Sequence, residues 1–233
     1  MISLTFGDVV NDFIHLFYPD CCSACSAALV KGERIICTEC LISLPQTNYH
    51  LEPENLLRRR LEGRLPVTDV LAFLKFTKNG KIQRLLHNLK YRRQPEIGIA
   101  LGKLYGHRLR DAGVKLGADM LVPVPLHASR LRKRGYNQSG KFAEGLSEVL
   151  GIPVREEVLL RKTRTDTQTR KNKLRRWENV SEVFAVADEA AIKGRHILIA
   201  DDVITTGATV EACGQVLLAS GAEKVSIVCI AEA

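Results

Sequence analysis

The sequence predicts an α/β fold, a mostly parallel sheet with helices on both faces, preceded by a small cysteine-rich ribbon. Three observations carry that expectation. Short apolar runs with β-branched content, near 67–76, 120–124, 196–200 and 224–230, alternate with stretches of helical period, the pattern of a parallel sheet built by crossovers. With 233 residues, 45% of them hydrophobic, the chain can bury one core of ordinary domain size plus an appendage. Two Cys-x-x-Cys pairs lie close together near the start of the chain, a spacing used by metal-binding ribbons.

Residues 1–17, MISLTFGDVVNDFIHLF, carry Asp8 and Asp12 and no basic leader region, so they do not read as a secretory signal. Val9, Val10, Phe13, Ile14 and Phe17 give them the face of an amphipathic helix. Cys22 and Cys25 form one pair, Cys37 and Cys40 the second, with eleven residues between. Each pair can place two thiolates on one tetrahedral ion, and four thiolates make a closed, structural Zn²⁺ site. No apolar run approaches the length of a membrane span, and in the cytoplasmic chain this implies, metal is favoured over disulfide. Cys21 is the spare thiol and an alternative ligand, although Cys22 has the right spacing to Cys25. Residues 1–45 are therefore read as helix and ribbon, 46–66 as a polar connector, and 67–233 as the main domain. The connector's RRRLEGR run suits a short helix, and Arg58, Arg59 and Arg60 read as a solvated face.

The main domain opens with a strand at 67–77 and a turn at Asn79-Gly80. A helix over 81–91 follows, with Ile82, Leu85, Leu86 and Leu89 at helical spacing. Lys90, Tyr91 and Arg92 at its end are either a phosphate-contacting corner or cations that complement the helix dipole. A second helix spans 97–110. The strand at 120–124 stops where Pro123 and Pro125 begin, because proline cannot occupy a strand interior. After His127, read as a loop residue, a basic loop carrying Arg130, Arg132, Lys133 and Arg134 leads into a helix, with Gly135, Asn137 and Ser139 as turn and cap residues.

The stretch HILIADDVITTGATVE is the most specific in the chain. Ile197, Leu198, Ile199 and Ala200 form a buried strand, and Asp201 and Asp202 follow at its carboxyl end. Thr205, Thr206, Gly207, Ala208 and Thr209 then lead into a helix bearing Val210, Val216, Leu217 and Leu218, which Gly221 ends. In an open parallel sheet, ligands bind beyond the carboxyl ends of the strands. A helix starting there aims free N–H groups and its positive end at an anion, which suits phosphate. Gly207 allows close backbone approach, the threonines donate hydroxyls, and paired carboxylates accept from vicinal sugar hydroxyls or help hold Mg²⁺. A ribose 5-phosphate fits that arrangement. Cys213 and Cys229 fall on apolar faces and read as packing residues.

The net charge of +8 points to polyanionic partners. Residues 161–176 hold eight basic side chains against the single acid Asp166, and a polar stretch of that length inside a compact domain is commonly functional.

At the ADDVITTGAT block the chain resembles the phosphoribosyl pyrophosphate (PRPP) motif of type I phosphoribosyltransferases. That resemblance implies ribose contacts by Asp201 and Asp202 and a 5′-phosphate loop at Thr205, Thr206, Gly207, Ala208 and Thr209. Together with VPVPLHASRLRKRGYNQS, LLRKTRTDTQTRKNKLRRWENV and the cysteine pairs, it resembles the ComF/GntX family, which joins a zinc ribbon to a phosphoribosyltransferase domain. The resemblance places a pyrophosphate loop around Arg134 and a flexible loop at 163–176, with Arg164, Gln168, Arg170 and Lys171 aimed at the pyrophosphate or second substrate. It implies Mg²⁺ with PRPP, a role in DNA uptake, and single-stranded DNA and other uptake proteins as partners, with Tyr136 and Trp177 as stacking platforms. Thr205 stands where several purine-salvage relatives carry an Asp that serves the base, and no glutaminase-type nucleophile is recognisable. The alternative is a metabolic phosphoribosyltransferase with a small acceptor.

Overall fold

In the computed structural model, residues 19–78, 80–162 and 183–233 are described, so the amphipathic helix expected in 1–17 and Asn79 of the expected turn lie outside them. The chain runs through α1 (Thr38–Ile42), a 3₁₀ turn (Tyr49–Leu51), α2 (Leu56–Leu61), β1 (Val70–Lys75), α3 (Lys81–Tyr91) and α4 (Glu96–Asp111). It continues through β2 (Met120–Pro123), α5 (Ala128–Arg134), α6 (Gln138–Leu150), β3 (Leu159–Arg161) and β4 (Phe184–Val186). The last elements are α7 (Glu189–Ile192), β5 (His196–Ile204), α8 (Ala208–Ala219) and β6 (Lys224–Glu232). Four strands form a parallel sheet in the order β1-β6-β5-β2, and β3 pairs antiparallel with β4.

The period-2 alternation of the strands sorts their side chains into two cores. On one face Leu71, Phe73, Leu198, Ala200, Val228 and Ile230 pack with α3, α4 and α6. On the other, Val70, Ala72, Ile197, Ile199, Ile227 and Cys229 pack with α2, α8 and the β3–β4 pair. Helices thus cover both faces, which is why the strands read as unbroken apolar runs. Cys213 and Cys229 are fully buried in the second core, as packing residues should be. Among the described residues, no helix is long and apolar enough to cross a membrane.

Two sequence expectations need correction. β5 does not stop at Ala200; it runs through both carboxylates to Ile204, because β6 continues to pair with it from Asp201↔Cys229 to Ile204↔Glu232. The basic segment after His127 is a helix and not a loop. The His127 ring accepts from Ser129 N–H at its start, and Gly135, at φ +83°, terminates it. Asn137 caps α6 by accepting from Ser139 N–H, as read.

The ribbon and connector share these cores. Cys22, Ala24, Ile36, Cys37, Cys40 and Leu44 join the first, and Lys81 and Asn88 of α3 hold Ser43 and the Ser23 carbonyl. Gln46 bridges to Leu74 at the outer edge of β1. Leu57, Leu61 and Leu65 are buried in the second core.

The α4–α6 contact is made by glycines. A Cβ at Gly102 would strike the Phe142 carbonyl, Leu146 N at 2.8 Å and Gly145 Cα at 2.9 Å, and one at Gly145 would strike the Ile99 carbonyl. Backbone atoms cannot give way as side-chain tips do. Gly102→Ala is therefore expected to cost about 1–3 kcal/mol through overpacking, outweighing the ~1 kcal/mol gained in helix propensity. Urea unfolding measures it; an unchanged or raised midpoint would show that the two helices have room to spare.

Candidate functional site

β5 ends beside the turn that starts α8, so the sheet sets where the turn sits. Gly207 occupies the N-cap of α8 in the left-handed conformation, φ +82°, which L side chains rarely adopt. A Cβ there would meet Leu61 Cδ2 at 2.7 Å. The glycine is thus demanded by backbone geometry and by α2 behind the turn, and not only by close approach to a ligand. Ala208 N–H reaches Thr206 Oγ1 at 3.4 Å. The backbone N–H groups of Thr206, Gly207 and Thr209 find no acceptor among the described residues, as expected of the first turn of a helix. They form a ready anion cradle.

The two carboxylates at the end of β5 stand in different surroundings. Asp201 is buried; its Oδ1 accepts from Ser139 Oγ at 3.1 Å and from Asp202 N–H at 2.8 Å. Burial, reinforced by the neighbouring Asp202 charge, pushes its pKa up to about 7. Asp202 is paired with Lys90, whose Nζ lies 3.0 Å from both carboxylate oxygens. Lys90, at the end of α3, is thereby assigned to the site; as a basic residue in a last helical turn it was ambiguous in sequence.

Beside that ion pair lies a cavity of about 440 Å³ lined by Lys90, Tyr91, Arg93, Arg130, Lys133 and Arg134. Because 128–134 is helical, positions 130, 133 and 134 share one side and face the cavity, while Arg132 does not line it. Arg134 donates to Gln138 Oε1 at 2.6 Å, and its guanidinium stands 5.4 Å from the centroid of the exposed Tyr91 ring. Arg93 holds a left-handed conformation, φ +55°, uncommon for a side chain of its size. Tyr136, read as a stacking platform, is half-buried against the first core and its hydroxyl donates to the Leu89 carbonyl. Arg164, Gln168, Arg170, Lys171 and Trp177 lie outside the described residues.

The ribbon brings Cys22, Cys25, Cys37 and Cys40 together, with all four sulfurs within 4.8 Å of one another. Cys25 Sγ and Cys37 Sγ are 3.8 Å apart, about the separation of two ligands 2.3 Å from one tetrahedral ion. Ala24 and Cys37 aim backbone N–H groups at Cys22 Sγ. Although desolvation raises the Cys22 pKa, the backbone N–H groups of Cys37, Cys25 and Ala24, with the Cys25 thiol, bring it down to about 6. Burial and the neighbouring sulfurs push Cys40 up to about 12. One cation would relieve that crowding, so the cluster is compatible with zinc. Cys21 is exposed and outside the cluster.

Arg60 and Arg64, which the sequence reading left on a solvated face or unassigned, touch the α8 turn directly. Arg60 Nη1 donates to the Thr205 carbonyl at 3.2 Å and Arg64 Nη1 to the Thr206 carbonyl at 3.0 Å.

Residues 109–233 match the phosphoribosyl transferase domain family. The chain is 33% identical over 213 residues to the DNA utilization protein YhgH of Escherichia coli (strain K12), covering 90% of this chain and 88% of that one. It is 27% identical over 220 residues to competence protein ComFC of Bacillus subtilis (strain 168), covering 92% and 85%. The solved purine phosphoribosyltransferase of Pyrococcus horikoshii Ot3 superposes with a TM-score of 0.35 and 19% identity, over 71% of this chain and 80% of that one.

The state of Asp201 yields a stability test. Its folded pKa is raised above the ordinary value, so its favourable contribution is complete below about pH 4 and is lost as pH rises through about 7. Asn keeps the oxygen that accepts from Ser139 and Asp202. Asp201→Asn should therefore melt higher than the natural chain at pH 8, by about 2 °C or more, and the two should converge near pH 4. Thermal unfolding at both pH values checks this; a variant no more stable at pH 8 would mean that Asp201 ionises there without penalty.

Proposed function

Since the chain belongs to the phosphoribosyl transferase domain family, together with the DNA utilization and competence proteins it matches, we propose that it binds PRPP with Mg²⁺ at the end of β5. We place its action in the cytoplasm, on single-stranded DNA during DNA uptake. The observation that carries the first part is the succession at one sheet edge of Asp201, Asp202 and a helix start where the N–H groups of Thr206, Gly207 and Thr209 find no acceptor among the described residues.

In this reading the turn 205–209 takes the 5′-phosphate through the N–H groups of Thr206, Gly207 and Thr209 and the threonine hydroxyls. Asp201 and Asp202 accept from the two ribose hydroxyls. Lys90 keeps Asp202 oriented until the sugar arrives. Mg²⁺ bound with PRPP supplies charge neutralisation of the pyrophosphate. Arg134 and its cationic neighbours face that end of the ligand, and the family resemblance adds Arg164, Gln168, Arg170 and Lys171. A transfer at this site would break the bond between ribose C1 and pyrophosphate and form one to an acceptor.

Two features support the nucleic-acid part. The cavity gathers five cations around one exposed aromatic ring, the combination that binds a strand by backbone charge and base stacking. The matched relatives are named for DNA utilization and competence. The four cysteines are proposed to hold a structural Zn²⁺, and ligand loss should unfold the ribbon because the binding energy of such a site is folding energy.

Calorimetry with PRPP and Mg²⁺ should show affinity falling at least ~10-fold in the Asp201→Asn/Asp202→Asn double variant, since two charge-assisted acceptors are lost. Single-strand binding should weaken by about 1–3 kcal/mol in Tyr91→Ala with little change in salt slope. Arg130→Ala/Lys133→Ala should flatten the log–log salt slope by ~1.4. PRPP binding without single-strand binding at physiological salt would transfer the assignment to a small-acceptor phosphoribosyltransferase. Metal analysis should find one zinc per chain, lost together with ribbon protection from proteolysis in Cys40→Ser; full zinc in that variant would defeat the four-thiolate site.

A further inference from the structure

Nothing in the proposed function gives residues 46–66 a task, yet this segment is built rigidly against the phosphate turn. Asn55 caps α2 by accepting from Arg58 N–H, and its amide donates to the Val70 carbonyl of β1 at 2.9 Å. Leu57 and Leu61 are fully buried, and Leu61 lies against Gly207. Leu65 lies against Gly214, about two turns further along α8.

That anchoring places two guanidinium groups, four residues apart, over the outer side of the turn. Arg60 Nη1 donates to the carbonyls of Thr205 at 3.2 Å and Ala233 at 2.9 Å, while its Nη2 lies 3.3 Å from Glu232 Oε2. Glu232 is itself held by the Tyr49 hydroxyl at 3.0 Å. Arg64 donates to the Thr206 carbonyl at 3.0 Å and pairs with Glu211 of α8. Each fork thus spans a carbonyl of the turn and a fixed carboxylate, a geometry suited to the planar guanidinium.

A trans peptide unit is planar, with its C=O and N–H on opposite sides. Fixing the Thr205 carbonyl toward α2 therefore turns the Thr206 N–H away from it, and fixing the Thr206 carbonyl does the same for the Gly207 N–H. These are two of the turn's donors that find no acceptor among the described residues. We infer that Arg60 and Arg64 are positioning residues for the phosphate turn. They hold its carbonyls on the connector side so that its N–H groups are set in advance to receive a phosphate monoester. This rests on the PRPP reading of the same turn, and it makes the connector part of the ligand site without touching the ligand. Preset donors spare the reorganisation that a free turn would undergo on binding.

The test uses the full chain, Mg²⁺ and two probes: ribose 5-phosphate, which needs the turn, and inorganic pyrophosphate, which does not. Arg60→Ala and Arg64→Ala should each weaken ribose 5-phosphate binding roughly three- to ten-fold, the worth of one hydrogen bond, and leave pyrophosphate affinity unchanged. The loss should persist near ~1 M salt, where charge attraction beyond about 3 Å is screened, because a neutral carbonyl is what is held. Arg64→Lys, with a donor but no fork, should recover part of the affinity. Glu211→Gln, which unties Arg64 without touching the turn, should move affinity in the same direction. Both arginines are more than a third exposed, so the Ala variants should fold; unchanged melting of the ribbon and core checks this. Unchanged ribose 5-phosphate affinity in the variants, with binding by the natural chain intact, overturns this inference alone. Equal losses for both probes, or losses that vanish at high salt, overturn it in favour of a bulk charge effect. Failure of the natural chain to bind ribose 5-phosphate removes the PRPP reading and this inference with it.

Discussion

The site depends on β5 being buried on both faces and paired on both edges up to the point where its carboxylates begin. Ile197, Leu198, Ile199 and Ala200 have no exposed surface, with β2 on one side and β6 on the other. A strand held in that way has no freedom to shift its register, because a slip of one residue would exchange its two apolar faces. Asp201 is consequently carried into a desolvated place where its charge is disfavoured. It stays there because the ladder with β6 continues past it and because Ser139 and the Asp202 N–H satisfy its oxygen. The unfavourable burial falls on a position of the candidate site, where local conflicts with folding rules commonly collect.

Close packing then transmits that fixed point to the rest of the site. Glycines at α4–α6 let two helix backbones approach, so Ser139 at the head of α6 reaches Asp201. On the other face, Gly207 and Gly214 receive Leu61 and Leu65, and α2 with the residues just after it comes near enough for Arg60 and Arg64 to meet the turn. Small residues here are not loosening the chain; they set distances between the elements that build the candidate site. The ribbon contributes in the same manner, since its cysteines and Ile36 share the core behind α3, whose last turn supplies Lys90 and Tyr91.

Electrostatically, cations crowd around the cavity beside Asp202. Of the cations lining it, Lys90 is matched by a carboxylate, while Arg93, Arg130 and Lys133 have no acidic partner among the described residues. Like charges held close together by a helix repel, and that cost is offset when a polyanion enters. The surplus of the whole chain, +8, is thus less informative than its placement against one exposed tyrosine.

Much of this was determined by the sequence alone. Apolar period placed α3 at 81–91, where it is found, and placed the four parallel strands to within a few residues. Covalent spacing paired the cysteines, and the order of strand, Asp201-Asp202 and Thr-Thr-Gly-Ala-Thr marked the turn, because each of these is a local pattern that a chain displays without folding. Only the tertiary structure made the basic run after His127 a helix, chose Tyr91 over Tyr136 as the exposed ring, and tied Lys90 to Asp202. It also turned Arg60, read as surface charge, and Arg64, which had no reading, toward carbonyls 145 and 142 residues away. The reason is physical: a hydrogen bond or an ion pair between distant segments leaves no periodicity along the chain, and its partners exist only once two cores have brought separate elements to one sheet edge.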